Sequence, residues 1–505
     1  MRPAELEALR RDLERVVGMR QVTVADTDRA LYGRDLWPKA QLWQRRGEVR
    51  YAPDVVVWPG TTDEVARIVR YARERHLPLT PFGAGSSVVA GAMPLRAGIT
   101  LDLKRMRRLL SLDLSARRAV VQAGMIGQRL EDDLQRQGAT LGHFPSSIYC
   151  STVGGWIAAR GAGQLSSRYG KIEDMLLGMT AVAGTGEILH VGPERVPGPD
   201  LVQLLCGSEG TLAVVTDATL SVHPLPQAKA MRGFRMRTVG AGLDGLRLIF
   251  RAGLRPHVLR LYDPLDSLSA SGAPRPREAR ESGPLSAVLG RLKSKSLGYA
   301  LAAPGLINRA VDLVPPRSLL VVSFEGDSQA ACEEELRAAM DILRELGGTD
   351  LGEAPAARWY ARRHSQSYKQ SAIFAGHAWV DTMEVAATWD RIPRVFEGVR
   401  RAVGKEAVAL CHFSHVYLEG CSLYFSFVGP AATVEKGEEG YDRAWRAGMQ
   451  AAQEAGATLS HHHGVGAAKA RRLPDELGDA GMRLLRALKH TFDPDGILNP
   501  GKLLA

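Results

Sequence analysis

Apolar positions along the chain change period several times, and each change predicts an element. Asp54–Trp58 (D-V-V-V-W) reads as a short buried strand, turned by Pro59–Gly60. Thr61 with Glu64 is a capping-box start, and Val65, Ile68, Val69 and Ala72 then fall at helical spacing. A second strand, Leu79–Phe82, runs straight into Gly83-Ala84-Gly85-Ser86-Ser87. From about residue 99 to 225 short strands alternate with turns, ending in Thr211–Val222, after which Pro224 and Pro226 break the chain. Beyond that break, strands near 257–262, 319–324, 379–385, 408–416 and 421–428 are separated by amphipathic helices near 329–346, 389–402 and 439–455. Several connections are too short for parallel crossovers, so this half predicts an antiparallel sheet backed by helices. Residues 1–50 read as a helix followed by an irregular segment.

Composition narrows the class. At 505 residues the chain exceeds a single core and suits two or three domains. Its 45% apolar and 24% charged content is that of an ordinary globular protein. The net charge of +10 raises the question of nucleic acid, but arginines are scattered, with no basic helix or aromatic–basic platform. No nucleic-acid partner is expected. None of the five cysteines forms a C-x-x-C pair, so no zinc knuckle or disulfide frame is signalled. Met1 to Gly18 is charged and amphipathic, and no run reaches the roughly 18 apolar residues of a spanning helix. A cytoplasmic protein is expected. Residues 268–317 are Ser-, Gly-, Pro- and Arg-rich, then basic, then apolar. They read either as a loop with a surface helix or as an element in peripheral contact with a membrane.

Three clusters of small residues are the first chemical signal. Gly83-Ala84-Gly85 lacks the third glycine of a dinucleotide fingerprint, but offers backbone N–H groups that no side chain obstructs. Phe144-Pro145-Ser146-Ser147 with Ser151-Thr152-Val153-Gly154-Gly155-Trp156 forms a second cluster, and Gly207-Ser208-Glu209-Gly210-Thr211-Leu212 a third. Three such clusters between short strands suit a long, flat, phosphorylated cofactor.

The motifs P-L-T-P-F-G-A-G-S-S-V, S-T-V-G-G-W, Y-G-K-I-E-D-M and G-S-E-G-T-L-A-V-V-T-D-A-T-L resemble the FAD-binding domain of the vanillyl-alcohol-oxidase family. The tail D-P-D-G-I-L-N-P-G-K-L (493–503) is similar to that family's closing signature. The resemblance implies an α+β fold: a two-part FAD-binding domain of that type, plus a cap domain with an antiparallel sheet covered by helices. The expected division is an N-terminal helical segment (1–50), the FAD-binding domain (51–226), a cap or substrate domain (227–455) and a C-terminal segment returning to the FAD domain (456–505). It further implies that Gly83, Gly85, Ser86 and Ser87 hold the pyrophosphate of FAD and that Thr152, Gly154, Gly155, Glu209 and Gly210 line the flavin. Pro81, Ala84, Pro145 and Ser151 are also expected to bind the cofactor. Covalent members tether flavin through a His or a Cys; this loop offers Ser86 and Ser87, so non-covalent FAD is expected, with Cys150 near the lining motif.

The string His461-His462-His463-Gly464 admits a metal site, a polar turn or a catalytic cluster. Neighbouring side chains on an extended chain point opposite ways, and His412 and His415 sit at odd spacing, which weakens the metal reading. No metal is assigned. Within the family, S-H-H-H-G-V-G, V-L-R-L-Y-D (258–263), M-E-V-A-A-T-W-D-R (383–391) and G-C-S-L-Y-F-S-F (420–427) resemble the alkylglycerone-phosphate synthase branch. That resemblance implies Tyr424, His461, His462 and His463 as catalytic residues, with Arg260 and Lys369 binding substrate. Lys369 stands where the branch carries an arginine, and a lysine offers a point charge without the guanidinium fork.

The implied reaction exchanges the acyl group of acyl-dihydroxyacetone phosphate for a long-chain alcohol, with no net oxidation. Tyr424 would be the base, its phenolate stabilised by His462 and Arg260. Two other readings remain at this point. One is an FAD-dependent dehydrogenase or oxidase of a 2-hydroxyacid or alcohol; the other is a non-catalytic flavin-binding or lipid-surface protein. By default Arg260 would be an ion-pair residue at a strand end and Tyr424 a core aromatic. The expected partner is a small-molecule or lipid substrate, and a homodimer is compatible with the sequence.

Overall fold

Local patterning carries directly into three dimensions. The computed structural model describes residues 1–192, 197–271, 301, 304–305, 307–308, 317–365, 373–374 and 377–504. The chain divides into two compact units: Met1–Gly163 with Gly170–Leu225 and His462–Ala505, and Gln164–Tyr169 with Pro226–His461. Most of the 268–317 segment, where membrane contact was considered, lies outside the described residues, as does Lys369. No helix among the described residues is long and apolar enough to cross a membrane.

In the first unit Val55–Val57 is buried on both faces, as three consecutive valines require. It pairs in parallel with Ile99–Asp102, which pairs in parallel with Leu79–Phe82. The helix Thr62–Glu74 makes the crossover. Thr61 Oγ1 accepts the Glu64 N–H at 3.1 Å, while the Glu64 carboxylate accepts from the Gly60 N–H at 2.6 Å, one residue outside the usual capping box. This helix buries Val65, Ile68 and Val69 in one cluster with Leu9 and Leu13 of the N-terminal helix Pro3–Val17. The stretch read as irregular holds two short helices, Asp26–Leu31 and Pro38–Gln44. A second sheet, antiparallel, has the order Leu109–Asp113, Arg118–Gln122, Ala213–Ser221, Leu176–Ala183, Ile188–Val191. The C-terminal tail lies along Leu79: its N–H donates to Ile497 O at 2.8 Å, and Asn499 N–H donates to Leu79 O at 2.7 Å.

The second unit is built on a seven-stranded antiparallel sheet. Its order is Thr349–Asp350, Ala228–Met236, Ser318–Gly326, Val258–Tyr262, Val408–Val416, Gly420–Pro430, Ala378–Thr388. Ala228–Met236 escaped the sequence reading because lysine and arginines interrupt its apolar alternation. The helix Val239–Arg251 escaped because glycines lower its apparent propensity. Two of them have a structural use: a Cβ on Gly242 would come within 2.5 Å of Leu261, and one on Gly245 within 2.7 Å of Leu343.

Alternation then sorts the sheet's two faces. Leu261 packs toward Gly242, Phe413 against Phe396 and Met383 against Gly448, so these positions face helices. Asp381 lies on the same side, where its carboxylate accepts from Tyr441 Oη at 2.5 Å and Trp445 Nε1 at 2.7 Å, both of the helix Val434–Glu454. The intervening residues, Arg260, Tyr262, His412, Tyr424 and Glu384, project to the opposite face. Asp381→Ala should therefore leave two buried donors bare and cost about 2–5 kcal/mol. Urea denaturation would show this as a lower midpoint; an unchanged midpoint would mean that Asp381 does not anchor the helix.

Candidate active site

The turn after Leu79–Phe82 is shaped by two glycines. A Cβ on Gly83 would lie 2.3 Å from Thr152 Oγ1. Gly85 has φ +68°, and a Cβ there would meet the Phe82 ring at 2.7 Å. The N–H groups of Ala84, Gly85, Ser86 and Ser87 find no acceptor among the described residues, though the turn is partly buried. Converging amides without acceptors form an anion cradle. The Ser87 hydroxyl is used inside the turn, accepting from Val89 N–H at 3.3 Å and Gly91 N–H at 3.0 Å, so only its amide remains for a ligand.

The other two clusters converge on this turn. Thr152 caps the helix Val153–Ala159 by accepting the Gly155 N–H at 3.3 Å, and Gly154 N–H donates to Ala123 O at 2.8 Å. Ser151 Oγ is committed locally: it donates to Ser147 O at 2.9 Å and accepts from Trp156 Nε1 at 2.8 Å. Pro145 is partly buried, and its carbonyl accepts from Ile148 N–H. Gly210 (φ +69°) sits against Pro81, 3.0 Å from the position of its missing Cβ. Glu209 is buried, and its carboxylate accepts from Val465 N–H at 2.5 Å and Gly466 N–H at 2.7 Å. Burial raises its pKa, while those two bonds and the charges of Lys469 and Lys502 oppose the rise. In the same unit the His462 and His463 rings meet edge to face, 4.5 Å apart.

Two groups in this unit were missed. Asn499 Nδ2 bridges Gly91 O (3.1 Å) and Glu209 O (2.7 Å), tying the closing signature to the cradle. His143, just ahead of the Phe144–Ser147 cluster, is buried 4.5 Å from the Trp156 ring with neither nitrogen partnered among the described residues. Burial pushes its pKa down to about 3. Amides without acceptors, glycine walls that a Cβ would fill and an unpartnered buried imidazole are features that a bound, phosphorylated, aromatic cofactor would satisfy. The residues present fit FAD.

In the second unit, strand register brings together residues far apart in sequence. Tyr262 pairs with His412, His412 with Tyr424, and Tyr424 with Glu384, forming a polar row across four strands. His412 stacks on Tyr424, with centroids 4.7 Å apart and planes at 17°. Arg260, beside this row, lies 5.3 Å from the Trp359 ring, and its buried Nε has no acceptor among the described residues. A buried guanidinium nitrogen without an acceptor suits an incoming anion.

The phenol reverses one expectation. A base near neutral pH needs a lowered pKa, but Tyr424 is pushed up to about 12, mainly by burial and further by Asp381 and Glu384. A hydrogen bond with Thr382 and, more weakly, the Arg260 charge pull the other way. Tyr424 is thus a neutral donor at rest. The physical reason is burial in the folded sheet, reinforced by nearby carboxylates, which the linear sequence does not reveal.

Glu384, also missed, is fully buried and accepts from Ser460 Oγ and from the His461 N–H, both at 2.5 Å. It sat inside a quoted motif, and an acidic residue between apolar ones in a strand was the available signal. His461 Nε2 lies 3.2 Å from Tyr417 Oη, and its ring is 5.1 Å from that of His415. His415 was expected on the opposite face from His412 by simple alternation. Instead the ladder slips between Ser414 and Val416, and His415, with φ +51°, turns its Nδ1 to within 2.6 Å of Ser166 Oγ. His461 closes the second unit and His462 opens the last segment of the first, so the triplet spans the boundary between them.

Two family models match the chain. The FAD binding domain family matches residues 53–192, and the family of FAD linked oxidases, C-terminal domain, matches residues 225–503. An alkyldihydroxyacetonephosphate synthase of Trypanosoma brucei brucei is 31% identical over 93% of this chain and 75% of its own length. Glycolate oxidase subunit GlcD of Bacillus subtilis is 26% identical over 98% of this chain and 97% of its own. A solved alkyldihydroxyacetonephosphate synthase superposes with a TM-score of 0.77 at 28% identity, covering 99% of this chain and 85% of that one.

Gly85→Ala introduces both an unfavourable backbone conformation and the Phe82 contact. It should weaken FAD retention by about tenfold or more while the fold persists. The flavin-to-protein ratio after gel filtration reads this out, and an unchanged ratio would remove the turn from the cradle.

Proposed function

We propose, for a chain that belongs to the family of FAD-linked oxidases and is an FAD-dependent enzyme, an exchange at the first carbon of acyl-dihydroxyacetone phosphate. A long-chain alcohol enters, its oxygen forming the ether bond. The ester C–O bond to that carbon breaks, the fatty acid leaves as carboxylate, and the alcohol gives up its proton. Atoms balance with no net oxidation. The observation that carries the reading is Arg260: a guanidinium whose buried Nε lacks an acceptor, beside the Tyr424–His412 stack. The synthase relative at 31% identity over most of the chain supports the same choice.

When bound, FAD supplies reversible uptake of an electron pair beside the substrate carbon. The chain's residues do the rest. Arg260 meets an anionic group of the substrate, and Lys369 is proposed to add a second positive charge. Tyr424, kept protonated by its surroundings, donates a hydrogen bond to a substrate oxygen. His461, held through its backbone by Glu384 and through Nε2 by Tyr417, takes the proton, with His462 and His463 completing the relay. FAD is proposed to be held non-covalently by the amides of residues 84–87, with Glu209, Gly210 and Thr152–Gly155 at the flavin. Acid precipitation should then release all of the yellow colour to the supernatant, whereas a coloured pellet would indicate a tether.

The principal test is anaerobic. Flavin absorption should bleach on adding acyl-dihydroxyacetone phosphate and return on adding a long-chain alcohol, without oxidant. Lasting bleaching with a 2-hydroxyacid, reversed only by an electron acceptor, would instead place the chain with its glycolate oxidase relative. For Tyr424 the pH profile discriminates. A donor held at about 12 leaves kcat flat between roughly pH 7 and 9, whereas a phenolate base makes it climb about tenfold per pH unit.

A further inference from the structure

His412 stands between two groups that decide its chemistry. Its Nδ1 is 3.1 Å from Asp266 Oδ2, and its Nε2 is 3.4 Å from Arg260 Nη2. A guanidinium only donates hydrogen bonds, so Nε2 must be the bare nitrogen and Nδ1 must carry the hydrogen. The two partners together select one tautomer of a neutral ring. Burial and the Arg260 charge both hold the imidazole below its usual pKa, which keeps it neutral, while Asp266 opposes them. The ring stacks on Tyr424 with planes at 17°, and both of its nitrogens are already engaged, by Asp266 and Arg260. His412 therefore does not act as a base for Tyr424.

Its role concerns the guanidinium. Arg260 rises from the strand Val258–Tyr262, and Asp266 follows on the helix Pro264–Ser271. His412 comes from a neighbouring strand, opposite Tyr262 in the ladder. The imidazole takes one edge of the guanidinium and leaves the buried Nε for a ligand.

We propose that Asp266 and His412 are a positioning pair: the carboxylate fixes the imidazole tautomer, and the imidazole holds Arg260 beside Tyr424 for the anionic group of the substrate. The inference rests on the reading of Arg260 as the residue that meets that anion. Neither residue touches the reacting atoms. Loss of the pair lets the guanidinium swing, which weakens substrate binding more than turnover.

Three variants of the FAD-loaded protein test this. His412→Phe keeps the ring stack and removes the acceptor, His412→Gln restores an acceptor, and Asp266→Asn removes the charge that orients the ring. With acyl-dihydroxyacetone phosphate as the varied substrate, His412→Phe should raise KM about tenfold, with kcat changed by less than about threefold. His412→Gln should recover most of that loss. A KM equal to wild type in His412→Phe, or a fall in kcat with KM unchanged, overturns the proposal. Nitrogen-15 spectra of histidine-labelled protein give a readout independent of activity, the His412 signals being those missing in His412→Phe. Wild type should show the Nδ1–H form, and Asp266→Asn should shift it toward Nε2–H. An Nε2–H ring in the wild type overturns the pair. If the ring is Nδ1–H but acyl-dihydroxyacetone phosphate is not turned over, the pair stands and the functional reading falls.

Discussion

Two buried carboxylates grip the segment Ser460–Gly466, one from each unit. Glu384 takes the Ser460 hydroxyl and the His461 N–H, and Glu209 takes the N–H groups of Val465 and Gly466. A carboxylate inside a protein is costly unless donors surround it, so each of these acids needs the segment where it is. The peptide in turn finds acceptors for amides that sit in no regular element. Between the two grips lie the three histidines and Gly464, whose φ of +81° and closeness to Glu209 leave no room for a Cβ. Ser460 and His461 are thus held within the second unit, and Val465 and Gly466 within the first.

The sheet of the second unit performs a similar division of labour. In Val258–Tyr262 and Ala378–Thr388 one alternating set of residues is largely apolar and faces helices, and in it the polar Asp381 anchors one of them. The residues between are free of that packing duty, and the proposed site residues are among them. Because neighbours in the sheet come from 258–262, 378–388, 408–416 and 420–430, the row Tyr262–His412–Tyr424–Glu384 gathers side chains from four distant stretches. A shift of one residue in any of these ladders would send its member of the row to the helix face.

Electrostatically the row is quieter than its residue types suggest. The phenol is neutral, the stacked imidazole is held neutral, and the charge of Glu384 is absorbed by a hydroxyl and an amide. Arg260 remains as the cation with an unmet donor, which suits an anionic substrate better than a chemistry that needs several charged side chains. In the first unit the amides of the glycine turn play the equivalent part with partial charges alone.

Local features of the fold were legible in the sequence. Val55–Val57, the capped helix after it, Leu79–Phe82 and the glycine turn all rest on short-range periodicity, capping chemistry and conformational preference, which a linear sequence contains. The same holds for alternation in 408–416 and 420–430, and for the resemblance that pointed to Arg260, Tyr424 and the histidines. The pairing of those elements was not legible. Glu384 and Asp266 drew no notice, His412 was weighed only as a metal ligand, and Tyr424 was assigned a lowered pKa that burial reverses. A side chain's partners, tautomer and proton affinity follow from which strand lies beside it and in what register. The sequence by itself determined the elements and the residue types available for chemistry; only the tertiary structure decided which of them share a site, because desolvation and hydrogen bonding act through space and not along the chain.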